Sequence, residues 1–270
     1  MSNEHEKADL LKMANELYEE ALNANSYYSI IMHMREMSIK SQKEMNVSPA
    51  FYSIVLFSLH YSCFMELAKI YDASTKSVRI STLLDCCQEH IDLFNNEFVA
   101  IADSNGEQQK QRHTLHPREE RFYKDEVEKQ RNLLKMFNLQ DKNEIPITIE
   151  ITIPELLDLY RKRICSLNKE IENIREQRNK IYAHNDMSRI LSGKQIWEEC
   201  SVSYQSLKEL IDAALDITIF IIASLTGKVR PKSYINIDDL ETTLNLVKIG
   251  LKYQCYDCEK ECEQTCSGMT

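Results

Sequence analysis

Apolar residues recur every three or four positions along most of this chain, which is the pattern of amphipathic helices. Residues 3–46 carry one such face, and a cluster of small polar residues at 23–26 predicts a break in it. Ser48 followed by Pro49 predicts the start of a second helix. That helix, through residue 70, is apolar almost all round, so we expect it at the centre of the core.

Further helix boundaries carry recognisable capping signals. Ser81 is expected to cap a third helix. Thr152 and Glu155 form a capping-box pattern, which predicts a long helix from there through residue 184. The pattern then predicts a helix over 204–226 that stops at Gly227 and a last helix that starts near Asn236 or Asp238. The apolar run at 214–225 contains Asp216, which favours a buried helix over a membrane span.

Two short segments alternate apolar and polar residues instead. Residues 146–153, PITIEITI, alternate strictly, and residues 234–237, YINI, do so faintly, which favours a two-stranded ribbon. The chain has only 5 Gly and 5 Pro in 270 residues, so it has few turns and long elements. We therefore predict an all-α helical bundle with one short two-stranded β ribbon.

Composition divides the chain into a helical domain at 1–252 and a Cys-rich tail at 253–270. A charged insertion with an exposed helix is expected at 103–145. The tail holds Cys255, Cys258, Cys262 and Cys266. Their spacing fits neither a zinc site nor an iron-sulfur run well, so reduced thiols are the main interpretation and metal binding the alternative.

The formal net charge of -9 argues against a general nucleic-acid coat protein, because phosphate affinity comes from Lys and Arg. Residues 161–194 nevertheless hold nine Lys and Arg against four acids, a basic patch on an acidic chain. The acidic N-terminus has no apolar signal region, and the nine Cys are odd in number. We expect a cytoplasmic protein with no membrane segment.

The candidate chemistry lies in that basic patch, at residues 175–186, REQRNKIYAHND. Arg178 offers a charged fork for phosphate, Asn179 a neutral polar contact, and His184 a group that takes and gives a proton near neutral pH. Positive charge for a phosphate and a group that moves protons are the ingredients of phosphoryl chemistry. The alternative is structural, since His and Asn also suit a helix C-terminus.

The string RNKIYAHND resembles the Arg-polar-x4-His motif of the HEPN superfamily, and its abortive-infection Abi-U branch in particular. Two other segments, MELAKIYDASTKSVRISTLL at 65–84 and SYQSLKELIDAALDITIFI at 203–221, are similar to that branch. The resemblance implies a HEPN-like helical bundle, a ribonuclease of toxin-antitoxin or phage-defence type, and no cofactor. By this resemblance Arg178 and His184 are the catalytic pair and Asn179 positions them. The supporting residues are Lys180, Tyr182, Asp186 and Asp72.

Six residues of straight helix give roughly 9 Å of rise and about 240° of rotation, so Arg178 and His184 do not share a face. Either the helix ends before His184, or the long side chains converge, or a second subunit brings its own motif across a two-fold axis. The family resemblance implies the last arrangement, a homodimer. RNA and a cognate antitoxin are the other partners expected. The competing hypotheses are an inert HEPN-like scaffold, in which Arg178 pairs with an acid, and an unrelated helical protein.

Overall fold

A computed structural model describes residues 2–74, 77–94, 99–101, 149–179, 200–233 and 239–267, with 99–101, 149–151 and 254–267 described as backbone alone. The fold is all-α apart from one short ribbon, as predicted. The helices are α1 (Ser2–Lys40), α2 (Gln42–Met45), α3 (Pro49–Ile70), α4 (Ile80–Glu89), α5 (Ile153–Ser166), α6 (Asn168–Gln177), α7 (Tyr204–Thr226) and α8 (Asp239–Ser267). The ribbon pairs β1 (Val99–Ile101) antiparallel with β2 (Ile149–Ile151).

The strand expected at 146–153 is confirmed over β2, but its partner is β1, which the sequence pattern did not indicate. Residues 234–237 lie outside the described residues. Thr152 then begins α5 with the predicted capping box: its hydroxyl accepts from the Glu155 N–H, and the Glu155 carboxylate accepts from the Thr152 N–H at 2.9 Å.

Three boundary predictions were wrong. Helix α1 is continuous through 23–26, because the hydroxyls of Ser26 and Ser29 donate to carbonyls one turn earlier and so fit inside a helix. Helix α4 begins at Ile80 with Arg79 as its N-cap, so Ser81 lies inside the first turn. The long helix expected from Thr152 is interrupted at Leu167, whose N–H bonds to the Ile164 carbonyl.

The chain forms two compact units. The first consists of Met1–Ala21 and Leu67–Lys232, and its core is the helix α7, which is buried over most of its length. Helix α5 packs on α7 and on α4, and the rings of Tyr160 and Phe220 lie 6.0 Å apart. Helix α7 ends as predicted at Gly227, whose φ of 68° is the left-handed cap that glycine adopts without strain.

The second unit consists of Leu22–Glu66 and Ser233–Thr270. In it α8 contacts α2, and the Cys63 thiol lies 3.6 Å from the Ala24 carbonyl oxygen. The domain boundary at residue 252 stays a prediction.

Helix α3 corrects the expectation of a central core helix. Phe51, Ile54 and Phe57 are 61%, 66% and 59% exposed, and burial begins only near Cys63. Among the described helices, α3 alone has the length and hydropathy of a membrane span. The core helix of a soluble protein can have the same length and hydropathy. Its most apolar window is only 17% buried. An apolar surface all round a helix predicts that the helix is covered, but the pattern does not identify what covers it.

Candidate functional site

Helix α6 carries the first half of the predicted motif to the protein surface. Ile171 and Ile174 bury one side of this helix, and Arg178 is its C-cap, still in right-handed helical conformation. At residues 178 and 179 the helix widens into a π-type turn. Turns of this kind are common at functional sites because they redirect side chains without ending the helix.

Opposite this turn lies the segment between α3 and α4, which begins with Tyr71 and Asp72. The Tyr71 hydroxyl is buried and donates to the Leu210 carbonyl at 2.7 Å, which ties the segment to α7. The Asp72 carboxylate accepts from the Ala73 N–H at 2.7 Å and from the Ser77 hydroxyl at 2.8 Å. These local bonds fix the direction of the carboxylate.

Arg178 contacts that carboxylate. Its Nη1 lies 3.5 Å from Asp72 Oδ1, and its Nε donates to the amide oxygen of Asn179 at 3.1 Å. The side chains of Arg178 and Asp72 are 26% and 18% exposed. Arg178 therefore makes a weak contact with an acid and remains partly exposed to solvent. A catalytic arginine is expected to be accessible and a structural arginine to be paired, and Arg178 lies between these two arrangements.

Burial tends to raise the pKa of Asp72, but the Ser77 hydroxyl, the N–H groups of Ser74 and Ala73, and the Arg178 guanidinium outweigh it and lower that pKa. Asp72 is consequently a carboxylate at neutral pH. A fixed negative charge thus stands beside the candidate catalytic arginine.

Two more arginines reach the same segment, and the sequence analysis assigned neither to the site. Arg175, one turn before Arg178, donates from Nε to the Tyr71 carbonyl at 2.7 Å. Arg79 donates from Nη1 to the carbonyls of Ala73 at 2.9 Å and Asp72 at 3.3 Å. Arg79 lies inside the 65–84 segment that resembles the family, which was a usable signal, whereas Arg175 precedes the motif string.

Residues 200 and 201 lie against α6. There Asn173 Nδ2 donates to the Ser201 carbonyl at 3.0 Å, and Gln177 Nε2 donates to the Cys200 carbonyl. Gln177 is 2% exposed, and its Oε1 has no hydrogen-bond partner among the residues that the structure describes. These two amides fasten residues 200 and 201 to the C-terminal part of α6.

The remaining predicted site residues cannot be placed beside Arg178. Lys180, Tyr182, His184 and Asp186 lie outside the described residues. Cys255, Cys258, Cys262 and Cys266 fall on α8, beyond its described side chains. The Arg178, Asn179 and His184 assignment stays a prediction, and the structure brings Arg178, Asn179 and Asp72 together.

The basic patch that the sequence predicts at residues 161–194 carries less net positive charge in the folded protein. Arg161 pairs with Asp85 at 3.3 Å and with Asp158 at 3.2 Å. Arg163 pairs with Asp216 at 2.8 Å. Acids from other parts of the chain thus neutralise part of the positive charge, whereas Arg175 and Arg178 share the Asp72 segment with Arg79.

One protein family matches most of this chain. The HEPN_AbiU2 family model, described as AbiU2, matches residues 7–243. The chain belongs to the AbiU2 family of HEPN proteins. No curated protein and no solved structure matches it.

The AbiU2 match spans every element from α1 into the first turn of α8, so it includes both the Asp72 segment and the Arg178 turn. It also includes residues 180–199, which carry His184. Membership associates the chain with abortive infection through the family name and supports the HEPN-like helical bundle.

Proposed function

We propose that this AbiU2 protein is a metal-independent endoribonuclease of a toxin-antitoxin or phage abortive-infection system, acting in the cytoplasm. The observation that supports it best is the state of Arg178, a partly exposed guanidinium whose contact with the Asp72 carboxylate is as long as 3.5 Å. A normal charge-assisted hydrogen bond is shorter, about 2.7–2.9 Å. Phosphate can therefore replace or join Asp72 as the partner of Arg178 at little cost.

In the proposed reaction the ribose 2'-oxygen forms a bond to the adjacent phosphorus, and the bond from phosphorus to the 5'-oxygen breaks. His184 takes the 2'-hydroxyl proton, an acid gives a proton to the leaving 5'-oxygen, and Arg178 stabilises the extra negative charge on the phosphorane. Asn179, already bonded to Arg178 Nε, holds the guanidinium plane. The products are a 2',3'-cyclic phosphate and a free 5'-hydroxyl.

One histidine cannot act as base and acid at the same moment, so we place the second proton group on a second subunit. A homodimer with its two-fold axis near residues 175–190 supplies two copies of His184 and two of Arg178. A cognate antitoxin that covers this surface is the second partner we propose.

The test is cleavage of varied single-stranded and looped RNAs by purified protein in excess EDTA, with the product ends identified by mass spectrometry. Arg178→Ala and His184→Ala should remove most of the rate, while Arg161→Ala, which removes another surface arginine paired to acids, should cleave normally. If the wild-type protein, freed of any antitoxin, leaves all RNAs intact while the Arg178 and His184 variants melt well below it, the motif is structural.

An inert interaction module is the second candidate. It is favoured by the Arg178–Asp72 contact itself and by the exposed apolar side chains of α3, since an apolar face of this kind is typical of a binding surface. In that case Arg178 stabilises the turn, and Arg178→Ala changes melting temperature rather than any RNA cleavage.

A further inference from the structure

Three arginines converge on three consecutive residues, Tyr71 to Ala73. Arg175 comes from α6 and contacts the Tyr71 carbonyl through Nε and Nη2. Arg79 comes from the start of α4 and contacts the carbonyls of Asp72 and Ala73. Arg178 contacts the Asp72 carboxylate. The turn between α3 and α4 therefore gathers guanidinium groups from separate parts of the sequence.

Each of these guanidinium groups keeps one terminal nitrogen unused. Arg79 bonds through Nε and Nη1, Arg175 through Nε and Nη2, and Arg178 through Nε and Nη1. Within the described part of the chain, Arg79 Nη2, Arg175 Nη1 and Arg178 Nη2 have no hydrogen-bond acceptor. Backbone carbonyls orient the guanidinium groups of Arg79 and Arg175, and the Asn179 amide orients that of Arg178, so these donors are preorganised.

The local charge is unbalanced. Among the described residues, Asp72 is the carboxylate in ion-pair contact with the cluster, and Glu172 also lies near Arg175. Burial lowers the pKa of Arg175; Asp72 raises it, and Arg79 and Arg178 lower it, so Arg175 is close enough to both other arginines to be repelled by them. Clustered cations of this kind are stabilised by a bound anion.

The position of Arg79 adds to this imbalance. Arg79 is the N-cap of α4 and makes no side-chain capping bond, while its Nε donates to Thr82 Oγ1 at 3.0 Å. Its guanidinium thus lies at the first turn of a helix, where the dipole is already positive and a cation is unfavourable. The same place favours an anion, since the first N–H groups of a helix point outward.

We infer that Arg79, Arg175 and Arg178 form a binding site for a phosphodiester of the RNA backbone, with Asp72 setting the position of Arg178. Arg178 contacts the reacting phosphate, and Arg79 with Arg175 holds a neighbouring phosphate of the same strand. Phosphate has the geometry that an arginine fork matches, and its charge offsets the surplus at the turn. The identification of the ligand as RNA rests on the proposed function, whereas the anion site does not.

The experiment measures binding rather than cleavage. Protein that carries His184→Ala is titrated with a fluorescent ten-nucleotide uridine RNA at several salt concentrations. The same titration is made with protein that carries Arg79→Gln or Arg175→Gln in addition to His184→Ala. Each arginine change should weaken binding about tenfold or more and lower the salt slope by about 0.7 for each phosphate that the variant no longer neutralises. Arg161→Gln is the matched control, since Arg161 also donates to a backbone carbonyl, that of Leu84, but is paired with acids. It should bind within about twofold of the parent.

Arg79→Lys keeps the charge but not the fork, so it should keep the salt slope and recover only part of the affinity. If the glutamine variants do not fold, hydrogen exchange decides: RNA should slow exchange at residues 71–83 of the parent, and unchanged exchange there would overturn the site. Folded Arg79 and Arg175 variants that bind RNA like the parent would also overturn it.

The two proposals fail separately. If wild-type protein binds RNA through Arg79 and Arg175 but cuts none, the nuclease function is wrong and the site remains. If wild-type protein cuts RNA and the Arg79 and Arg175 variants bind and cut it equally well, the site is wrong and the nuclease remains. Inorganic phosphate at millimolar concentration should compete with the RNA in the parent protein and not in Arg79→Gln, whatever the ligand in the cell.

Discussion

Arg178 and Asp72 lie 106 positions apart in the chain, yet Nη1 of the arginine is 3.5 Å from Oδ1 of the aspartate. The aspartate is fixed by its own turn, through Ala73 and Ser77, and does not need the arginine to hold its direction. The arginine extends from the end of a helix. Asp72 therefore positions Arg178 rather than the reverse, and it lies close enough to compete with a phosphate for it.

Asp72→Asn separates these roles. Asparagine can still accept from the Ala73 N–H and donate to Ser77, so the turn should stay folded and unfolding free energy should fall by at most about 1 kcal/mol, because both side chains are partly exposed. If Asp72 positions Arg178, kcat for RNA should fall about tenfold with a smaller change in KM, since the guanidinium loses its orientation. A rise in kcat/KM would instead show that Asp72 competes with the substrate.

The lowered pKa of Asp72 also has a stability consequence whose sign is fixed. A carboxylate with a folded pKa below its unfolded value of 3.8 contributes stability above that value, and the contribution is lost as pH falls through the folded pKa. The melting-temperature difference between wild type and Asp72→Asn should be constant from pH 7 to 5 and shrink below about pH 4. A difference that grew on acidification would contradict the lowered pKa.

Asp216 is a strong test of the fold of the first unit. It is 9% exposed and accepts from Arg163 at 2.8 Å and from Lys232 at 2.7 Å, joining α5, α7 and the segment after α7. Asp216→Ala removes the carboxylate that both cations contact and should destabilise by about 3–5 kcal/mol in urea unfolding. The control Asp85→Ala removes a 64% exposed partner of Arg161 and should cost about 1 kcal/mol or less. Equal losses would show that Asp216 is not the charge that joins these elements.

The cysteines should react in an order set by burial. Burial raises the pKa of Cys63 and of Cys87 to about 12, so both stay thiols at pH 8, whereas Cys165 is exposed. Brief iodoacetamide treatment followed by peptide mass spectrometry should find Cys165 modified and Cys63 and Cys87 protected until urea is added. Early modification of Cys63 would show that the second unit opens readily.

Local sequence signals predicted well the helix boundaries that depend on neighbouring residues. The Thr152–Glu155 capping box and the Gly227 stop depend on a few adjacent residues, and both are confirmed. The exposure of α3 was not predicted, because it depends on what packs against the helix, and a local sequence pattern does not contain that information. Arg178 and Asn179 came from a short motif, but the closeness of Arg79, Arg175 and Asp72 is a consequence of how α4, α6 and the turn pack. Spacing along the chain could not supply it.

The dimer proposed for the site can be tested directly. On a straight helix the six-residue spacing would turn Arg178 and His184 to different faces, and the proposed second subunit would let a single phosphate meet both groups. Light scattering at micromolar concentration should give twice the mass of the 31.6 kDa chain. In subunit-exchanging mixtures of wild-type and His184→Ala protein, cleavage should fall with the square of the wild-type fraction, because a mixed dimer holds only one of the two His184 groups that the reaction uses. A monomer, or cleavage that falls in simple proportion to the wild-type chains, would place the whole site in one chain.

The last prediction concerns the motif residues themselves. Arg178→Ala and His184→Ala should each lower kcat/KM by about a hundredfold or more, because they supply the charge and the proton transfer of the same transition state. Asn179→Ala should cost only about fivefold, the worth of one hydrogen bond to the guanidinium. Since acid and base are both required, wild-type activity should follow a bell-shaped pH curve, and the Asn179 variant should keep that shape at lower height. A curve that rises to a plateau would leave one proton transfer without a protein group, and an Asn179→Ala loss as large as that of Arg178→Ala would mean that the amide contacts the reacting phosphate itself.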